Sequence, residues 1–312
     1  MSDIGIIIVT YNSVSVIDSC LTAALASGAD VIVVDNASTD GTPQAAERPG
    51  VRLIVNSTNR GFAGAVNQGF SLLNCTYILL LNPDAVLQTG LEALREASSL
   101  PRAAGAGGQL LDPQGIPQIG FMVRKFPTPA VLSLESLLLN RIWPRNPANL
   151  VYRGLDLDYS RLQAVDQPAG AFLMIRRAVW EELGGFDERF RPLWFEDVDF
   201  CRRAADRGYL WYYTPQSVAK HTGGHSIVKL ALEMRRVYWY RGLLRYCAKH
   251  FRPLGFRTVC LAVVVGSLLR VVIEFARQRN RKSAAGFGEV VGLAFRLILG
   301  REDDIVSPAW RS

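Results

Sequence analysis

Asp84, Glu196, Asp197 and His221 are the residues of this chain whose types and settings best suit chemistry. Asp84 closes the run Tyr77-Ile78-Leu79-Leu80-Leu81-Asn82-Pro83-Asp84, in which five apolar residues stop at a carboxylate stiffened by a proline. Glu196 and Asp197 lie in Trp194-Phe195-Glu196-Asp197-Val198-Asp199, and His221 shares the short polar run His221-Thr222-Gly223-Gly224-His225 with a second histidine. A carboxylate and an imidazole can hold a divalent cation, which bridges and stabilises diphosphate oxygens. A further carboxylate next to flat aromatic surface, here Trp194 and Phe195, suits removal of a hydroxyl proton from something that packs like a sugar ring. Simpler readings stand beside these. Asn, Asp and Pro make turns and caps, carboxylates opening a helix gain from its dipole, and a lone histidine is commonly structural.

The elements that must position these groups are legible in the apolar pattern. Strand-like runs at Ile4–Val9, Val31–Val34, Val51–Val55 and Tyr77–Leu81 alternate with helical stretches at Val14–Ala26, Phe62–Leu73 and Leu91–Ser99. Continuous rather than alternating apolar strands separated by helices predict a parallel sheet covered on both faces, a doubly wound α/β fold. Ligands of such sheets bind beyond the carboxyl ends of the strands. Three of the four runs end in polar clusters: Thr10-Tyr11-Asn12, Asp35-Asn36-Ala37-Ser38-Thr39-Asp40-Gly41 and Asn82-Pro83-Asp84. All three are expected on one edge.

Residues 101–165 are rich in Gly and Pro and read as a hairpin near Pro113-Gln114-Gly115 followed by long loops on the acceptor side. Gly170–Ile175 reads as a strand, then a helix to Leu183 closed by Gly184-Gly185, and a further helix from Glu196 to Gly208. From about residue 228 the pattern turns to Leu-, Val- and Arg-rich helices. Their longest uncharged apolar run, Thr258 to Leu269, falls short of the roughly 20 residues a bilayer needs.

With 49% hydrophobic residues the chain can bury a full core. Its net charge of +7 is uneven: residues 1–228 hold 19 Lys and Arg against 22 Asp and Glu, and residues 229–312 hold 16 against 6. The positive charge sits among Leu and Val rather than among exposed stacking aromatics, which argues for an anionic membrane surface and against nucleic acid. Each Lys or Arg near such a surface contributes roughly 1 kcal/mol. Ordinary packed helices with solvated Arg faces are the alternative. Five scattered cysteines form no CxxC pair and read as free thiols of a reducing compartment. No secretory leader pattern precedes Ile4, so a cytoplasmic protein, peripheral on the membrane, is expected. There is no GxxxxGK[ST] loop, and Gly61-Phe62-Ala63-Gly64 does not fit GxGxxG. Something other than a glycine loop must then neutralise phosphate.

Taken together, Val9-Thr10-Tyr11-Asn12, VVDNASTDGT (33–42), NRGFAGAVNQG (59–69), LNPD (81–84), GAFLMIRR (170–177), WFEDVDFCRR (194–203) and HTGGHS (221–226) resemble, in order, the motifs of family 2 inverting glycosyltransferases of the GT-A fold. The set is most similar to the bacterial rhamnosyltransferase branch and covers residues 4–227. The resemblance implies a Rossmann-like, mostly parallel α/β sheet. Residues 1–100 would form the nucleotide-sugar half, 101–227 the acceptor and catalytic half, and 228–312 a basic amphipathic membrane-associating region. It makes Thr10, Asn12 and Asp35 nucleoside contacts, Asp35 receiving the imide N–H of uracil or thymine, and it places Asn59, Gly61 and Asn67 on the nucleotide side. LNPD stands where relatives carry Asp-x-Asp, so Asn82 takes the first acidic position and Asp84 with His221 takes the metal, Mg or Mn. Gly170, Ala171 and Trp194 would touch acceptor or sugar.

Asp197, with Glu196 beside it, resembles the catalytic base. The implied reaction is a single inverting displacement from a dTDP- or UDP-sugar to a hydroxyl of a glycan or lipid-linked glycan acceptor, the sugar being L-rhamnose, galactofuranose or an N-acetylhexosamine. A non-catalytic membrane scaffold on the same fold is the reading from another class.

Overall fold

The computed structural model describes residues 3–223, 231–278 and 281–299, with side chains described outside 274–285. His225 lies outside the described residues. Two compact units emerge: residues 1–126, 153–187 and 197–228 form one, and 127–152, 188–196 and 229–312 the other.

The first unit is built on the sheet. Its elements are β1 (Ile4–Thr10), α1 (Ile17–Ala26), β2 (Asp30–Asp35), α2 (Thr42–Ala46), β3 (Val51–Val55), α3 (Gly61–Leu72), β4 (Tyr77–Leu81), β5 (Ala85–Leu87), α4 (Glu92–Ser99), β6 (Ala103–Leu111) and β7 (Val123–Arg124). After the excursion into the second unit come β8 (Gln163–Val165), β9 (Gln167–Pro168), β10 (Phe172–Arg176), α8 (Arg177–Leu183), α9 (Glu196–Asp206) and β11 (Leu210–His221). The main sheet runs β3-β2-β1-β4-β10-β6-β11-β5, with β8 added on β11. β3, β2, β1 and β4 are parallel, and β10 is antiparallel to both β4 and β6. Helices cover both faces, so Ile6, Ile7, Ile8 and Ile78, Leu79, Leu80 are all buried, as uninterrupted apolar runs require. The order reverses between β1 and β4, the switch point at which such sheets open a crevice.

β6 is the strand before the expected hairpin, formed by a Gly-rich segment with no strand pattern of its own. It is a nine-residue strand, AAGAGGQLL, in the middle of the sheet. Its glycines are there because nothing larger fits. A Cβ on Gly105 would lie 2.0 Å from the Met174 carbonyl oxygen, and one on Gly108 would lie 2.2 Å from the Phe172 ring. Strand propensity alone disfavours this sequence, and close approach of β10 overrides it. Gly105→Ala is therefore expected to cost about 3 kcal/mol of unfolding free energy, since backbone cannot move aside as a side chain can. Urea denaturation checks this. The expected hairpin is present: Asp112 Oδ1 accepts from the amides of Gln114 and Ile116, which turns the chain back toward β6.

The second unit holds α5 (Pro129–Ser136), α6 (Leu139–Ile142), α7 (Pro147–Tyr152), α10 (Leu232–His250), α11 (Pro253–Gln278) and α12 (Arg281–Ile298). Segments 127–152 and 188–196 group with the C-terminal helices. For α5 the reason is visible in two glycines. A Cβ on Gly266 would fall 1.9 Å from Ser136 O and one on Gly255 2.8 Å from Pro129 Cγ, so α11 and α5 lie backbone to backbone. The expectation that no stretch here is long enough for a bilayer also needs correction. Pro253–Ile273, 21 residues, is long and apolar enough to cross one by length and composition, because Arg257 and Arg270 bound the charge-free run without ending the apolar helix. Nor are the tail's basic residues one solvated face. Arg245 is buried with its guanidinium over the Phe190 ring, Arg241 pairs with Glu289, and Arg270 donates to the carbonyl oxygens of Glu135 and Ser136.

Candidate active site

At the carboxyl ends of β1 and β2 a polar lattice ties two loops together. Thr10 and Asp35 are register partners across the ladder, and Thr10 Oγ1 donates to Asp35 Oδ1 at 2.8 Å. Ser38 donates its hydroxyl to Asp35 Oδ1 and its amide to Oδ2. Asn12, in the left-handed region at φ 52°, accepts from the Thr39 amide at 2.8 Å and donates its own amide to Ser38 Oγ. Asp35 is fully buried, with three of the roughly four acceptor sites of a carboxylate occupied. As it stands Asp35 staples this loop, and any nucleoside contact falls to the remaining lone pair on Oδ2.

The α3 residues are held in the same way. Asn59 Oδ1 accepts from the Gly61 amide at 2.8 Å, satisfying one of the open donors of the helix start, and Gly61 takes φ 77°. The Asn67 amide is engaged on both sides by the Phe186 backbone, donating to its carbonyl and accepting from its N–H, each at 3.0 Å. Asn67 thus has a structural task in clamping α3 to the chain after α8.

The β4 end carries the expected carboxylate and imidazole side by side. β5 pairs with β11 so that Ala85 faces His221, and the Thr222 amide donates to Asp84 O at 3.1 Å. Asp84 Oδ1 lies 3.5 Å from His221 Nε2, and Asn82 Nδ2 also lies 3.5 Å from that nitrogen. Both Asp84 and His221 are buried. Gln118, 103 positions away in sequence, fixes the ring: its Nε2 donates to His221 O at 2.8 Å, so its carbonyl oxygen is the atom 3.0 Å from His221 Nδ1. A carbonyl accepts only, hence Nδ1 carries a proton, and in the neutral ring Nε2 presents a lone pair. Phe121 stacks on the ring at 5.4 Å. In the neutral ring two acceptors, Nε2 and a carboxylate oxygen, face each other at 3.5 Å. Either a proton on Nε2 or a cation between them relieves it.

Asp197 sits close by along the backbone. Its Oδ2 accepts from the Gly170 amide at 3.0 Å and its Oδ1 from the Val198 amide at 2.8 Å. Burial pushes its carboxyl above the usual carboxylate range, against the two amides and the Arg124 guanidinium, which favour the ionised form. Gly170 leaves room for this approach, since a Cβ there would come 3.0 Å from Oδ2. The next residue, Ala171, accepts from the Asn82 amide at 3.0 Å. Two consecutive residues, Gly170 and Ala171, therefore link the Asp197 carboxylate to the Asn82-Pro83-Asp84 turn. Asp199, third acid of the run, is separated from them by its ion pair with Arg203 at 2.9 Å.

Trp194, Phe195 and Glu196 belong to the helical unit. Trp194 and Phe195 hold φ of 79° and 74°, a strained pair immediately before α9. The sequence reading of Phe195 as sugar-facing surface is corrected: its ring is buried against Trp239 and Tyr246. Trp194 remains half-exposed, and Glu196 is buried. Gln118 and Phe121 were not legible, for they lie in a Gly- and Pro-rich stretch with no periodicity to place them.

The family model described as Glycosyl transferase family 2 matches residues 5–183, more than half of the chain. The chain belongs to this family. The glycosyltransferase is 30% identical over 285 residues to the N-acetylglucosaminyl-diphospho-decaprenol L-rhamnosyltransferase of Mycobacterium tuberculosis, with 81% of this chain and 86% of that protein covered. It is 28% identical over 153 residues to rhamnosyltransferase WbbL of Escherichia coli, covering 48% and 53% of the two. Among solved structures it is similar to the Pyrobaculum calidifontis mannosyltransferase PcManGT in complex with GDP-Man and Mn2+, with TM-score 0.52, 18% identity and 97% and 83% of the chains covered. Staphylococcus aureus TarS 1–349 with UDP-GlcNAc gives TM-score 0.54, 15% identity and the same coverage. The glycosyltransferase thus has the GT-A fold, with its mostly parallel sheet and a C-terminal helical region.

Proposed function

We propose that this glycosyltransferase moves L-rhamnose from dTDP-L-rhamnose, or another sugar from a UDP donor, to a hydroxyl of a lipid-linked glycan, with inversion at the anomeric carbon. The observation that carries the reading is the link through Gly170 and Ala171, which holds a general base and a diphosphate-binding pair to one lip of the sheet. The choice of rhamnose and of a diphospholipid acceptor rests on the activities named for the two rhamnosyltransferase relatives. Asp197, ionised, takes the proton of the acceptor hydroxyl as that oxygen attacks. Thr10, Asn12, Asp35, Asn59, Gly61 and Asn67 shape the nucleotide side, Gly170, Ala171 and Trp194 touch acceptor or sugar, and Glu196 is the second acid of the catalytic pair with Asp197. Five buried free cysteines suit a reducing, cytoplasmic setting at a membrane surface.

Asp84 and His221 fit a divalent cation. Their facing atoms lie 3.5 Å apart, near the ~3 Å between neighbouring ligands of an octahedral ion with bonds of about 2.1 Å. Among the described residues no third His, Cys, Asp or Glu joins them. That suits an ion which keeps waters and takes substrate phosphates rather than one caged by protein. When bound, it would neutralise charge on the departing diphosphate. Gln118→Leu leaves the His221 ring free to turn and its tautomer unfixed. Mn2+ binding is expected to weaken about 10- to 100-fold, read by electron paramagnetic resonance in the absence of substrate.

A panel of dTDP- and UDP-sugars incubated with N-acetylglucosaminyl-diphospho-polyprenol tests the whole reading, with release of nucleoside diphosphate and the anomeric configuration of the product as readouts. Transfer from dTDP-L-rhamnose with inversion is expected. No release from any of these donors would favour the non-catalytic scaffold.

A further inference from the structure

Among the described residues, the helical unit leaves an apolar face of α11 exposed. On α11, Leu254, Leu261, Val265, Leu268 and Val272 are exposed, Leu254 at 80% and Val272 at 67%. Their spacing of 7, 4, 3 and 4 residues puts them on one stripe of the helix. The other side, Val259, Cys260, Val263 and Ser267, is fully buried. α11 is therefore half core helix and half unpartnered surface.

A second exposed apolar group belongs to the same unit. Arg141-Ile142-Trp143-Pro144-Arg145 is exposed throughout, with Ile142 at 77% and Trp143 at 62%. Its place is set by α5, which runs along α11 from Pro129 at Gly255 to Ser136 at Gly266. Arg270 of α11 holds the carbonyl end of α5, donating to Glu135 O at 3.2 Å. The end of α5 thus lies at the level of Gly266 to Arg270, near the Leu268 and Val272 end of the stripe, and Trp143 follows Ser136 by seven residues. Charge fits the same surface. By sequence the unit carries 20 Lys and Arg against 9 Asp and Glu, whereas the sheet unit carries 15 against 19. Arg252 and Arg257 are exposed at the start of α11, and Arg141 and Arg145 flank the Trp143 turn.

We infer that this face seats α11 in the plane of an anionic membrane, with Leu261, Leu268 and Val272 and the Ile142-Trp143 turn entering the boundary between headgroups and acyl chains and the arginines at headgroup level. Trp at this depth and Arg just outside it match what the interface selects. A spanning orientation has the length, about 30 Å for 21 residues, but it would strip α11 from α5 and from its buried side. The inference gives the proposed lipid-linked acceptor a place to be met, and it rests on that reading for its purpose only.

Flotation of the full chain with vesicles of phosphatidylcholine, alone or mixed with phosphatidylglycerol, tests it. Binding is expected only with the anionic lipid. Leu261→Glu with Leu268→Glu should lower it by at least about tenfold, and Arg141→Ala with Arg145→Ala by about 30-fold. All four positions are exposed, and dTDP or UDP binding to the same preparations reports that the sheet unit is intact. Brominated acyl chains should quench wild-type fluorescence more than that of Trp143→Phe. Equal flotation of all variants overturns the inference. So does a dimer that the Leu261→Glu, Leu268→Glu variant dissociates, which would make the stripe a contact between copies, and so does resistance to alkaline extraction, which would mean a spanning helix. Nucleotide binding without flotation overturns only this inference, whereas flotation without transfer overturns only the proposed reaction.

Discussion

Asp197→Asn is expected to lower kcat for transfer by about 10²- to 10⁴-fold, the range for loss of a positioned general base, with donor affinity unchanged. The substitution keeps the shape but removes the only property the mechanism uses, a lone pair that ends the step holding a proton. Asn still accepts from the Val198 amide through its oxygen, while its nitrogen faces the Gly170 N–H and loses that bond. The fold tolerates this because the ionised carboxylate is itself disfavoured there: burial outweighs the amides and Arg124 and raises the carboxyl above its ordinary value. The sign follows from linkage. A raised acid holds its proton more tightly in the folded state, so its contribution to stability falls as pH climbs from the unfolded toward the folded value. The Asn variant escapes that loss. Activity runs the other way, since the ionised form is the base. Wild-type kcat should fall on an acid limb displaced above the roughly 3.9 of a free Asp, and the limb should vanish from the residual rate of Asp197→Asn. A variant with wild-type kcat and an unchanged acid limb would remove Asp197 from the mechanism.

What could be seen before the structure was whatever needed only local pattern. β1, β2 and β4 are continuous apolar runs that read as buried strands and are buried, and β3 is the partly exposed edge strand beside them. The polar residues ending β1, β2 and β4 sit at the crevice because a parallel sheet puts strand ends together. β6 could not be seen, since a glycine-rich strand is explained only by the Met174 carbonyl and the Phe172 ring that crowd it. The same holds for residue roles. Asp35 and Asn67 attract attention as polar residues in the right places, yet their partners, Thr10, Ser38 and the Phe186 backbone, are tertiary. Phe195 looked like ligand surface because Trp239 and Tyr246, more than 40 positions on, are what bury it. Gln118 carries no local signal, and its importance is entirely in the His221 tautomer it fixes.

Asp84→Asn separates a metal cradle from a structural ion pair, because the two make opposite predictions for stability. With Nδ1–H given to Gln118, the His221 Nε2 lone pair faces the Asp84 carboxylate at 3.5 Å. If that gap serves a divalent cation, the metal-free pair is two acceptors in mild repulsion, and the substituted carboxamide supplies an N–H that can donate to Nε2. Melting temperature without metal should then hold or rise in the variant, while kcat/KM falls on the order of 10²- to 10³-fold as an anionic ligand is lost. Gain of stability with loss of activity is the mark of a strained functional site. If instead a proton on Nε2 makes an ion pair, the variant removes a partner from a buried charge and melting temperature drops. Chelation gives the second arm. EDTA and Asp84→Asn would remove the same stabilisation, so together they should cost no more than the larger alone, a non-additivity expected of groups acting as one unit. An Asp84→Asn enzyme that loses a further hundredfold on chelation would place the cation elsewhere.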